Sequence, residues 1–176
     1  MTLAEIEVDD TEQAIELFHR KGWTDGLPIV PPTPERVARF LAVANRHADD
    51  EIGFYEERGI AVTAGKLAIN AVMAGCLPEH FPVVVAIVEG MLSPDLPLHV
   101  ANSSTGSFTY GFIVNGPIRQ KLEMNWQGNR LGSGKRAKAA SGRAIRLIQL
   151  NVLGSIPGAG DDHPAHGRTV LDRSKM

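Results

Sequence analysis

The residue with the clearest chemical potential is the single cysteine, Cys76, in the stretch Gly75-Cys76-Leu77-Pro78-Glu79. A thiol placed just before a helix N-terminus would be stabilised as thiolate by free backbone N–H groups and the helix dipole. Lys66 and His80 lie near enough in sequence to assist it, with Asn70 between them, and the lysine would be a second catalytic group. The competing reading is a small buried apolar residue at a tight bend between helices, which is what most free cysteines are. Asn102-Ser-Ser-Thr-Gly-Ser107 offers hydroxyls and backbone donors to an anionic or polar group, and Ser103, Ser104 and Thr105 are its substrate-binding candidates. It also reads as an ordinary turn.

Two other stretches resemble known site chemistries and fall short of them. Gly128-Asn-Arg-Leu-Gly-Ser-Gly-Lys135 misses a phosphate loop, because five residues separate Gly128 from Gly134 and Arg136 stands where a hydroxyl is required. A weaker expectation is an anion held by Arg136 and its neighbours at a helix start, against a merely solvated basic face. His163-Pro-Ala-His166 beside Asp161 and Asp162 supplies potential ligands. Pro164 breaks the helix that would align them, so no metal site is assigned. No cofactor is indicated by any motif. The histidines lack the surroundings of a catalytic triad.

These residues must be positioned by a modest number of elements. Thr11 to Lys21 has helical apolar spacing and a cap in Asp10 or Thr11, and Gly22 ends it. Trp23 to Pro34 holds four prolines in its last seven residues and is therefore extended. It is expected to strap over the core, burying Trp23, Leu27 and Val30, or else to present a rigid edge to a second chain. Thr33-Pro34 opens a second helix through Val37, Phe40, Leu41 and Ala44. Arg46 to Arg58 is polar and reads as a loop or small excursion. Thr63 to Gly75 and Glu79 to Met91 form a helical hairpin with Cys76 at its bend. Leu98 to Asn102 and Phe108 to Asn115 read as strands. Ile118 to Met124 is a short helix, and Lys135 to Leu153 is the last long one.

The fold class expected is mixed α and β, helix-rich, with a small sheet packed on the central helical hairpin. Residues 1–155 make a single globular domain, and 156–176 a loose or partner-ordered tail. A chain of 176 residues can bury most of its apolar surface without staples. A formal net charge of -2 speaks against general nucleic-acid binding. The acidic N-terminus is no secretory signal, the longest apolar run (Phe81 to Val88) is too short for a membrane span, and a lone cysteine suits a reducing cytoplasm.

Gly22-Trp-Thr-Asp-Gly-Leu-Pro-Ile-Val-Pro-Pro-Thr33 and Lys66-Leu-Ala-Ile-Asn-Ala-Val-Met-Ala-Gly-Cys-Leu-Pro-Glu79, with the shorter Ile113-Val-Asn-Gly-Pro-Ile118 and Gly142 to Leu147, carry a resemblance. They are similar to a little-characterised bacterial family found beside, or fused to, proteins with a UGSC redox-like motif. The likeness runs from about residue 11 to 155. It implies a subunit that works with a thiol- or selenol-bearing partner on a small organic substrate. The tail to Met176 and the loop Asn125 to Lys135 depart from the family pattern. Those departures fit a shortened subunit completed by another chain, or one that has lost its site. The reading that results is a subunit of a hetero-oligomeric enzyme acting on a small polar or anionic molecule through thiol-assisted or redox chemistry. Its alternative is a noncatalytic scaffold subunit.

Overall fold

A computed structural model describes residues 6–103, 109–128, 132 and 134–156. The first helix, α1 (Thr11–Arg20), is capped by the Asp10 carboxylate, which accepts from the Gln13 N–H at 2.8 Å. Gly22 (φ 68°) supplies the left-handed turn that ends it. The chain then folds back so that Trp23 donates its N–H to Phe18 O and stacks edge-on against the Phe18 ring, 5.2 Å between centroids. α2 (Pro34–Val43) starts with proline in its first turn, as its sequence dictates, although Thr33 makes no side-chain capping bond.

The hairpin expected at the centre is present. α3 (Ala64–Met73) is buried on almost every side, since Ala64, Ala68 and Ala71 let its neighbours approach closely. α4 (Phe81–Met91) follows a single 3-10 turn at Pro78–His80. α3 packs on α2, α4 and α7 (Arg136–Asn151). The core these helices share includes Phe40, Leu67, Phe81, Val84, Val88, Leu147 and Ile148.

The sheet lies elsewhere than its sequence signals suggest. β1 (Glu51–Tyr55) and β2 (Ile60–Thr63) form an antiparallel hairpin that packs on α4; β1 lies within Arg46 to Arg58, expected to be a loop or small excursion, and β2 follows it. Tyr55 and Val62 point into the core. The pairing slips between Glu51 and Gly53, so Ile52 is an extra residue that interrupts the alternation by which strands are recognised. A Cβ at Gly53 would sit 2.8 Å from Leu92 Cδ1, so a larger residue there would push that side chain aside. Leu98 to Asn102, expected as a strand, is instead helical in α5 (Leu98–Ser103), where the Ala101 N–H reaches Pro97 O. Proline at the turn's start favours this geometry. Of the second expected strand, 109–115 pairs with no other strand and Phe108 falls outside the described residues. The short α6 is Pro117–Lys121. The described residues thus hold seven α-helices and one two-stranded sheet, a helix-rich mixed α and β fold. Among the described residues no helix is long and apolar enough to cross a membrane.

The strap over residues 23–34 is held in place by side chains of distant elements. Arg143 forks onto Asp25 (Nε–Oδ2 3.0 Å, Nη2–Oδ1 2.8 Å) and donates to Leu27 O and Pro28 O. Asn151 donates to Trp23 O, and the Val30 N–H donates to Met73 O. That last bond sets the extended chain's facing, so Ile29 turns inward (4% exposed). Leu27 and Val30, expected to be buried, point out at 56% and 36%. Trp23 packs against the core as expected.

Candidate functional site

Cys76 sits at the hairpin bend, buried beside Arg136 and Ser141, and Arg136 also acts on the buried His80. Two of the expected site residues, Cys76 and Arg136, are therefore brought together, with Arg136 Nε donating to Gly75 O at 2.9 Å. The thiol itself is not activated. Burial pushes its pKa up to about 12, and Ser141 and the Arg136 charge offset this only in part. The donors expected to hold a thiolate are already used or missing. Leu77 N–H donates to His80 Nδ1, His80 N–H to Leu77 O, and Pro78 and Pro82 have no N–H. The Ser141 hydroxyl is buried without a well-formed hydrogen bond. Alkylation of native Cys76 is expected to be slow at neutral pH, with a midpoint well above that of a free thiol. A midpoint at or below the free-thiol value would show an activated group after all.

Lys66 lies in the first turn of α3, whereas Cys76 lies past its other end, where the chain folds back so that the Cys76 N–H donates to Ala71 O. Its ammonium donates to Ala61 O at 2.6 Å, and burial lowers its pKa. It can assist no chemistry at the thiol. Asn70 is a buried structural link rather than part of the bend. It donates to Lys66 O (2.9 Å) and accepts from Asn151 Nδ2 (2.7 Å), tying α3 to α7. Ser103 donates to His99 O at 2.6 Å and closes α5. Ser104 and Thr105 lie outside the described residues, as do His163 and His166. No group of three or more metal-ligating side chains occurs among the described residues.

A polar cluster that sequence reasoning missed lies next to Ser103. It gathers Tyr55 from β1, His99 and Asn102 from α5, Tyr110, and Gln149 from α7. The Tyr55 hydroxyl and His99 Nδ1 share a hydrogen bond at 3.2 Å, with the direction set by the imidazole tautomer. Asn102 Oδ1 accepts from Tyr110 (3.4 Å) and from Gln149 Nε2 (3.3 Å). With that oxygen doubly engaged, the buried Nδ2 makes no well-formed hydrogen bond, though the amide lies close enough to the Tyr55 hydroxyl to lower its pKa. Arg58 lies 6.0 Å over the Tyr55 ring while donating to Gly154 O. Burial raises the Tyr55 pKa, against smaller lowering by Arg58 and Asn102. Tyr110 is raised too, first by burial and then by Tyr55. Both phenols are therefore protonated at neutral pH, with the Tyr110 proton committed to Asn102 Oδ1 and the Tyr55 hydroxyl paired with His99.

The only signal for this cluster in the sequence is that these are the chain's two tyrosines. Chemically, the group can position an acceptor oxygen and supply a proton to it. Beside it runs an open groove of about 640 Å³, walled by α4 (Val83, Ala86, Ile87, Gly90) and by 110–115. Tyr110 belongs to both. Around the groove, Phe112 is 40% and Ile113 87% exposed.

Comparison with protein-family models, curated proteins and solved structures returned no match.

Proposed function

We propose that this chain is a cytoplasmic subunit of a hetero-oligomeric enzyme acting on a small polar or anionic organic molecule. The observation that carries this reading is the convergence of Tyr55, His99, Asn102, Tyr110 and Gln149 beside an open apolar groove that Tyr110 also lines. The exposed apolar residues Phe112 and Ile113 offer a second polypeptide a place to close the groove. On this reading any thiol or selenol step belongs to that partner, since Cys76 is held protonated.

Native mass spectrometry of the tagged chain, purified from cells that also express its genomic neighbours, tests the subunit claim. The expected result is release with a second polypeptide. Recovery as a monomer or homo-oligomer alone would remove that part of the reading.

The second reading, a noncatalytic scaffold subunit, is favoured by the inert, buried Cys76. The two diverge on Asn102→Leu in the assembled complex. Turnover is lost if the cluster handles substrate and retained if the chain only supports its partner.

A further inference from the structure

We propose that the second polypeptide docks on the solvent-facing side of α7, and that the surface it brings there carries aspartate and glutamate side chains. This deepens the enzyme-subunit reading above and rests on it. Charge points to the chemistry. Residues 117–146 hold eight of the chain's 18 lysines and arginines, but only Glu123 of its 20 aspartates and glutamates. The rest of the chain is correspondingly acidic, so the positive charge is gathered on one stretch rather than spread over the surface.

Within α7 the exposed positions include Arg136, Ala139, Gly142 and Arg146, a spacing of three or four residues that sets them along one side of the helix. Arg143, half-buried, is committed to Asp25 and the strap. Arg136 donates from Nε to Gly75 O, and Arg146 makes no hydrogen bond or ion pair among the described residues.

Gly142 is the observation that calls for a partner rather than solvent. It has no positive φ, and a Cβ there would meet nothing within 4 Å. Nothing among the described residues therefore needs glycine in the middle of this helix, where glycine is among the least favourable residues. A merely solvated basic face would be better served by any ordinary helix former. A glycine between two arginines instead lets another chain come close to the helix backbone while the guanidinium groups reach its carboxylates.

The face adjoins the groove. Ala137, in the first turn of α7, packs in one cluster with Val83, Val114 and Ile118, all of which line the groove. The exposed Trp126, with Arg119 4.6 Å over its ring, lies on the same basic stretch, and tryptophan and arginine are types that protein interfaces favour. A nucleic acid would meet these arginines and then the acidic remainder of the chain, which a compact carboxylate face avoids.

The test compares partner recovery, by native mass spectrometry from cells that also express the genomic neighbours, for the wild type and three variants whose fold is checked by circular dichroism. Arg136→Glu/Arg146→Glu is expected to lose the partner by about tenfold or more, because each new carboxylate faces another. Arg20→Glu/Arg39→Glu makes the same change in net charge at exposed positions on α1 and α2 and should keep it. Gly142→Gln should also weaken recovery about tenfold, yet the free variant should melt about 2–4 °C above the wild type, because only the complex needs the gap. A residue that merely holds the fold would move both readings down together.

Partner recovery from Gly142→Gln equal to the wild type, equal loss in the α1 and α2 control, or a lower melting temperature for Gly142→Gln overturns the proposal. So does a partner released by nuclease, which would give the face to a nucleic acid. A partner held equally by all four chains leaves the subunit reading standing and removes its docking surface, whereas absence of a partner from the wild type removes both.

Discussion

Replacing Phe81 with alanine is expected to lower folding stability by about 3–5 kcal/mol, the largest effect of any single side chain considered. Phe81 is fully buried where the bend enters α4, and its ring lies 5.8 Å from that of Phe40 on α2, tilted by 60°. Truncation removes the ring's transfer free energy and leaves a cavity between elements held on both sides. A domain of this size has about 5–15 kcal/mol in all, so the variant should be marginal at ambient temperature. Ile113→Ala, at a residue 87% exposed, should change stability by no more than about 0.5 kcal/mol. Urea denaturation of the two variants measures the contrast. A loss below about 1 kcal/mol for Phe81→Ala would mean the hairpin is not packed against α2 as described.

Removing the Arg143 guanidinium is the second large effect. Arg143→Ala deletes four hydrogen bonds to the strap and strands the Asp25 carboxylate, a loss of about 2–3 kcal/mol. Arg143→Lys should recover little of it, because an ammonium cannot fork onto both carboxylate oxygens. The contact also sets an acid limb. Arg143 hydrogen bonding holds the Asp25 pKa below its ordinary 3.8, against some opposing desolvation. A carboxylate with a depressed folded pKa contributes stability that is fully present above the unfolded value. That contribution is lost as pH falls through the folded one. The wild type should therefore lose stability below about pH 4 by an increment that Arg143→Ala lacks. Thermal melts from neutral pH to about pH 3 measure it, and parallel acid limbs would show that the pair does not form in solution.

Much of this architecture was legible in the sequence, for local reasons. α1, α2, α3, α4 and α7 declare themselves by helical apolar spacing and by punctuation such as Gly22, Thr33-Pro34 and Pro78. The strap follows from its prolines. The sheet did not declare itself: its first strand carries Glu51 and Gly53, buries only Tyr55, and is bulged at Ile52. Leu98–Ser103 is six residues long, too short for a helical period to outweigh its Leu and Val.

The site was harder. Cys76 and Arg136 do meet, but the sequence could not show that the Leu77 and His80 N–H groups at the bend are already used. The stretch around Ser103 was the right neighbourhood, while its polar partners Tyr55, Tyr110 and Gln149 come from other elements. Only tertiary packing joins them.

The central claim is that the chain's polar chemistry is gathered around Asn102 between the buried Tyr55 and the half-buried Tyr110. Because Tyr55 and Tyr110 are the only tyrosines, an ultraviolet titration of tyrosinate reads that cluster and nothing else. Both ionisations should fall above the ordinary value of 10.0, and Tyr55→Phe should remove one of them and ease the other. Two independent ionisations at the ordinary value, with Tyr110 indifferent to Tyr55→Phe, would mean that the phenols are solvated and apart, and the cluster on which the functional reading stands would be gone.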